Sequence, residues 1–261
     1  MNGDGVLDRR AVLAHLNLMA VNEVLTRAEP GGVVDREGDE LLFASERDFS
    51  ILNGAMRSGA GDAAAFVERA SRFFAGRRGW MAFVHPDDAA LEDAVGAAGL
   101  THVADYPEMT CSTALPEGEA PEGVELSPVG DAAEAREYWS VCERAYSSLG
   151  FPPGVFDGFS TELLLRDDVA AWLARVDGAP GAAAMVVLHG TVGMVAWVAT
   201  LEEQRGRGLG ALCTVRATNA AFERGAELAS LQASPMGRSL YRALGYEELF
   251  QYRLYLSGRF A

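Results

Sequence analysis

The residues best suited to do chemistry in this chain sit in one hexapeptide, Arg205-Gly206-Arg207-Gly208-Leu209-Gly210. An apolar, β-branched run from Val192 to Thr200 precedes it, and a stretch with helical spacing of Leu209, Leu212, Val215, Asn219 and Phe222 follows. A strand, a glycine-rich turn and a helix start make an anion site: the turn presents backbone N–H groups and the helix N-terminus adds partial positive charge. Three glycines let the backbone come close to a pyrophosphate without side-chain clash. The pattern therefore predicts a phosphorylated ligand. It is not a P-loop, which ends in Gly-Lys-Ser/Thr, because the chain has no lysine. Nor is it a dinucleotide fingerprint, since the glycines alternate and the next expected strand, Leu228 to Gln232, runs into Ala233 and Ser234 rather than an acid.

A second motif follows at Ser234-Pro235-Met236-Gly237-Arg238-Ser239-Leu240-Tyr241-Arg242-Ala243-Leu244-Gly245-Tyr246. Ser234 is expected to cap a helix, Pro235 suits its first turn, and Gly245 supplies the left-handed residue that ends it. The form Arg-x-x-Gly-x-Gly followed by Leu-Tyr-x-x-Leu-Gly-Tyr, with one helix and one strand between, resembles the GNAT superfamily of N-acetyltransferases over residues 122–256. That resemblance implies an acyl-CoA-dependent N-acetyltransferase that moves an acetyl group from acetyl-CoA to a primary amine of a small molecule. The alternatives on the same fold are an O-acyltransferase, an acyl-CoA decarboxylase, or an acyl-CoA-binding protein without turnover.

The resemblance also assigns roles. Tyr241 falls at the position of the general acid that protonates the departing thiolate. Val198, Ala199 and Thr200 would pair through their main chain with the pantetheine arm. Arg205, Gly206, Arg207, Gly208, Leu209 and Gly210 would hold the pyrophosphate. Ser234 stands where many relatives carry a cofactor-contacting Asn. The base is not assigned, because Met194 to Ala199 holds no carboxylate. His189, Glu143, Asp157 and Glu162 are weaker candidates, and deprotonation through ordered water is an equal alternative. Between residues 146 and 159, Tyr146, Phe151, Phe156 and Phe159 either wall an acceptor pocket or seal an interface with the preceding part of the chain.

Composition narrows the partners. The formal net charge of −15 argues against nucleic acid and against anionic membrane surfaces. Gly181 to Leu201 has no Asp, Glu or Arg, yet Gly190 and Gly193 punctuate it, so it reads as two buried strands rather than a membrane span. Cys111, Cys142 and Cys213 lack metal-like spacing, no metal site is expected, and the N-terminus shows no signal-peptide pattern. A reduced, cytoplasmic, bacterial protein is the plain expectation, with a homodimer left open. Asn2-Gly3-Asp4-Gly5-Val6-Leu7-Asp8 echoes part of a calcium loop but has no closing glutamate.

The elements needed to position these residues occur twice. Residues 124–261 read as strand, helix, three strands, glycine loop, helix, strand, helix and two final strands. The part before residue 115 reads as a helix, three strands, the turn Arg57-Ser58-Gly59-Ala60-Gly61-Asp62, a helix, the strand Trp80 to His85, a helix and two more strands. The fold class is α/β with a mixed α+β sheet, in two tandem GNAT-like domains. The first, 1–115, is degenerate: it has fewer turn glycines, Asp62 at the helix start, and no Leu-Tyr-x-x-Leu-Gly. The Pro-, Gly- and Glu-rich 116–123 reads as an exposed linker, and 124–261 as the acyl-CoA domain.

Overall fold

The computed structural model describes residues 8–47 and 49–258. The calcium-like segment 2–8 lies outside the described residues except for Asp8. The first half contributes α1 (Arg9–Ala28), β1 (Val33–Glu37), β2 (Glu40–Ala44), β3 (Asn53–Arg57), α2 (Ala63–Phe73), β4 (Gly79–Val84), α3 (Ala89–Ala97) and β5 (Thr101–Cys111). The second contributes β6 (Val124–Pro128), α4 (Ala132–Ser147), β7 (Val169–Val176), β8 (Ala179–His189), β9 (Val192–Thr200), α5 (Leu209–Glu223), β10 (Leu228–Gln232), α6 (Arg238–Leu244) and β11 (Glu247–Gly258). The run from Gly181 to Leu201 is the β8–β9 hairpin, as its glycines predict. No helix among the described residues is long and apolar enough to cross a membrane.

All eleven strands form one sheet in the order β1-β2-β3-β4-β11-β5-β10-β9-β8-β7-β6. Both halves repeat one pattern: a helix, three antiparallel strands, a helix, a strand parallel to the third, a helix and a long last strand. The last strands are exchanged. β11 of the second half pairs with β4 of the first, and β5 of the first pairs with β10 of the second. Where two short strands are expected at the end of each half, each forms a single long strand. The second pairing edge is supplied by the other half, so neither needs its own closing hairpin. β11 also pairs with β5, with register shifts after Glu248 and Leu254 that let the long strands follow the sheet twist.

Helix starts are locally encoded. Asp8, Asp62, Asp88 and Asp131 each cap a helix by accepting a backbone N–H in its first turn. One apolar cluster, shared by both halves, lies between the sheet and α1 and α4. On the other face, the second half buries α5 and α6 residues against its strands and the first half buries α2 and α3 residues against its own. The first half is anchored to the second just before the exposed linker. Buried Leu115 exchanges two main-chain hydrogen bonds with the side chain of Asn219 on α5, at 2.7 and 3.0 Å.

Candidate functional site

The site grows from the point where two parallel strands part. β9 pairs with β10 only from Val192 to Met194, yet continues to Thr200. Past Met194, no strand among the described residues lies beside that edge of β9. The chain then turns through Glu202–Gln204, Arg205 and two left-handed glycines, Gly206 (φ +77°) and Gly208 (φ +80°), into α5. A Cβ at either glycine would enter open space, so the glycines serve backbone conformation and leave the loop surface bare. Gly210 serves close approach instead: its Cβ would come within 3.0 Å of the Thr200 Oγ1.

α5 differs from the four Asp-capped helices because Gly208 gives it no side-chain cap. The first helical hydrogen bond runs from the Leu212 N–H to the Gly208 carbonyl. Among the described residues, no acceptor takes the N–H groups of Gly206 through Ala211. A bare, glycine-lined cradle of unpaired donors at a helix N-terminus fits a pyrophosphate.

One step back along β9 the strand bulges. Ala183 lies opposite Ala199, whereas Met185 lies opposite Ala196, which leaves one extra residue on β9. Trp197 takes φ +47° there, a strained conformation for a bulky residue. Hydroxyls from α4 hold the bulge: Tyr138 donates to the Trp197 carbonyl at 3.1 Å and Tyr146 to the Val198 carbonyl at 3.2 Å. Burial, then neighbouring Cys142, Tyr241 and Tyr106, push the Tyr146 hydroxyl well above the usual phenol range. The two α4 phenols, Tyr138 and Tyr146, thus lie at the bulge, with Tyr106 of β5 packed in the same cluster.

Tyr241 is buried on α6 and its ring lies against Gly237, where a Cβ would come within 2.7 Å of the ring. Burial pushes its hydroxyl up to about 12. It stays protonated at neutral pH, the form an acid must have. α6 begins at Arg238, one turn later than the Ser234 cap predicts. Ser234 makes the bonds expected of a cap on the turn that leads into it, accepting the Gly237 N–H with its hydroxyl at 3.2 Å and the Arg238 N–H with its carbonyl at 3.0 Å. Gly245 (φ +105°) ends the helix in the left-handed conformation, as expected.

The remaining sequence candidates are spread more widely. The Arg205 guanidinium turns back to the end of α4, donating to the Ser148 hydroxyl at 2.6 Å and the Ala145 carbonyl at 3.3 Å. Arg207 stays on the loop and donates to Gln204 at 2.6 Å. His189 sits at the β8–β9 turn, at the end of β9 opposite the glycine loop. Glu143 is engaged in shaping the segment after α4, accepting the Gly154 and Phe156 N–H groups at 2.7 and 3.0 Å. Glu162 accepts the Ser160 hydroxyl. The aromatic residues after α4 are packed across the two halves: Phe151 meets Phe49 edge-on, and Arg47 stacks over Phe159. Tyr138, Tyr106, Glu108 and Gln232 border the site without having been singled out. A signal existed for Glu108, a carboxylate in phase with Tyr106 and Thr110 in a strand-like run.

The comparisons agree with this geometry. Residues 117–244 match the family described as "Acetyltransferase (GNAT) domain". A GCN5-related N-acetyltransferase from Kribbella flavida superposes with a TM-score of 0.73 at 26% identity, over 97% of this chain and 96% of that one. A GCN5-related N-acetyltransferase from Sphaerobacter thermophilus gives 0.66 at 15% identity, over 95% and 90%. A tandem GNAT protein from the clavulanic acid biosynthesis pathway gives 0.61 at 16% identity, over 96% and 95%. No curated protein matches the sequence. Residues 117–244 form a GNAT acetyltransferase domain, and the fold of the chain is that of a tandem GNAT protein.

Proposed function

We propose that this protein is an N-acetyltransferase that uses acetyl-CoA to acetylate a primary amine of a small molecule. Residues 124–261 form its acyl-CoA-binding half and residues 1–115 a degenerate partner. The observation that carries the reading is the parting of β9 from β10 directly above an uncapped helix start. The strand gap accommodates an extended arm, and the unpaired N–H groups from Gly206 to Gly210 receive a pyrophosphate. Bound acetyl-CoA supplies an acyl carbon activated as a thioester.

The chain's own residues do the rest. Main-chain groups of Val198, Ala199 and Thr200 line the gap, although the Val198 carbonyl is already engaged by Tyr146. Arg207 adds charge near the loop, and Ser234 borders it. Arg205 holds the loop in place, its N–H bonded to the Glu202 carbonyl and its guanidinium tied to α4. Tyr241 holds the proton that the departing sulfur takes.

Calorimetry with acetyl-CoA on the wild type and on Gly208→Asp tests this reading. The wild type is expected to bind in the micromolar range. The variant places an anion in the cradle at a left-handed position and is expected to bind at least about 100-fold more weakly, or about 2.7 kcal/mol. Folded wild type that does not bind acetyl-CoA would sink the proposal.

A further inference from the structure

The reaction still needs a group to take the proton from the amine; Glu143 and Glu162 are engaged with groups in their own segments, and Asp157 is exposed. A different carboxyl stands out among the buried polar groups. Glu108 on β5 is fully buried, and neither of its oxygens has a hydrogen-bond partner. It is not isolated. Across the β5–β10 pairing, Glu108 lies opposite Gln232 and Thr110 opposite Ser230. The Gln232 Nε2, the Thr110 Oγ1 and the Ser230 Oγ are also buried without partners. Unpartnered buried polar atoms are rare, and four neighbouring residues sharing that condition call for an occupant that is polar itself.

The row lies at the reacting end of the site. Side chains alternate along β5: Met109 and Cys111 join the cluster under α5, while Tyr106 packs on the opposite face, with Tyr146 and Trp197. Glu108 and Thr110 share the face of Tyr106. On β10, Ser230 is opposite Met194, the last β9 residue in the pairing, so Gln232 is the first residue on this face beyond the point where the strands part. Glu108 is its neighbour on the next strand. The Trp197 indole N–H, also buried and unpaired, belongs to the same face.

We propose that Glu108, carried by the first half, receives the proton that the acceptor amine must lose before the second half's reaction, at a polar row completed by Gln232, Thr110 and Ser230. This rests on the acetyl-transfer reading above. An alkylammonium cannot attack, because a proton occupies its nitrogen lone pair. R–NH3+ and the Glu108 carboxylate give R–NH2 and the Glu108 carboxylic acid: one N–H bond breaks and one O–H bond forms. A dry site drives the proton this way, because desolvation disfavours both charged forms and the neutral pair requires no counter-ion. The empty site is consistent with this, since burial alone holds the Glu108 carboxyl well above the usual carboxylate range. Arrival of the cation releases that resting proton to water, and the proton taken from the ammonium restores the protonated resting state, so one proton leaves per turnover.

The test compares wild type, Glu108→Gln and Glu108→Asp. Glutamine matches the shape of a neutral carboxyl, so folding and acetyl-CoA affinity by calorimetry are expected to be unchanged. Acetylation is then followed with n-butylamine, an ammonium at neutral pH, and with aniline, already a free base. Glu108→Gln is expected to slow n-butylamine by about 100-fold while sparing aniline, and Glu108→Asp to recover part of the loss. Infrared spectroscopy of the wild type alone is expected to show a protonated carboxyl band that Glu108→Gln removes. Equal rates for wild type and Glu108→Gln with n-butylamine, or equal losses on both amines, would overturn the assignment while leaving acetyl transfer standing. A wild type that binds acetyl-CoA and acetylates neither amine would end the amine-acetylation reading, and this role with it.

Discussion

The two halves reach the same turn with opposite outcomes. In the second, β9 parts from β10 and runs through a bare glycine loop into an uncapped helix. In the first, β3 pairs in parallel with β4 only at Gly54 and Ala55 and also runs on, to Arg57. There the opening is filled. The Arg57 guanidinium, with a side chain 2% exposed, forms two hydrogen bonds with the Asp88 carboxylate at 2.6 and 2.8 Å and a third with the Gly61 carbonyl. The α2 start, which would otherwise attract an anion, carries its own: the Asp62 carboxylate accepts the Ala64 and Ala65 N–H groups. One fold can thus make either an anion cradle or a sealed joint. A cation placed in the gap and a carboxylate placed at the cap convert the first into the second.

The largest effect should come from breaking the seal. Asp88→Ala leaves Arg57 buried and unpaired and removes the α3 cap, so urea unfolding should show a loss of about 4 kcal/mol. If the midpoint does not move, the pair is not what closes the first half.

Next comes the joint between halves. His15 on α1 bonds the Tyr252 hydroxyl of β11 at 2.6 Å and the Arg57 carbonyl of β3 at 2.9 Å. Burial pushes its imidazole down from 6.5 to about 4. A depressed histidine contributes stability that is complete above the unfolded value of 6.5 and is lost as pH falls through about 4. Denaturation between those pH values should show a decline of about 3 kcal/mol, which His15→Asn should flatten. An unchanged acid limb in that variant would assign the decline to other groups.

A smaller effect concerns chemistry confined to one half. α3 carries no tyrosine, whereas α6 carries Tyr241. Tyr241→Phe should lower kcat by about 100-fold without changing the acetyl-CoA affinity. A matching loss of affinity would make the ring, rather than the hydroxyl, the part that matters. Smallest is Asp62→Ala, expected to cost about 1 kcal/mol of stability through the lost cap. It should leave acetyl-CoA binding untouched, because Arg57 still fills the gap. A second acetyl-CoA equivalent bound by this variant would show that the cap alone silences the first half.

Much of this was legible in the chain. The glycine loop, the α5 range, β9, β10 and the terminal Gly245 cap were all readable, because each depends on residues within a few positions: apolar period, caps and left-handed glycines. The contrast between Asp62 and Gly208 was readable for the same reason. The Ser234 cap was readable too: its hydroxyl accepts the Gly237 N–H and its carbonyl the Arg238 N–H, closing the turn that leads into α6.

What the tertiary structure alone decided depends on residues far apart in sequence. Local pattern shows strand residues at the end of each half, but neither that they join into one long strand nor which edge it will pair with, so the exchange of β5 and β11 appears only in the sheet. Arg205 looks like a free phosphate ligand until Ser148, 57 residues earlier, takes its guanidinium. Glu108 reads as an ordinary strand carboxylate until Gln232 is laid beside it and both are closed off from water. The sequence determined which groups exist and how each local element begins and ends. Burial and long-range pairing, which set a group's solvation and its partners, determined what those groups can do.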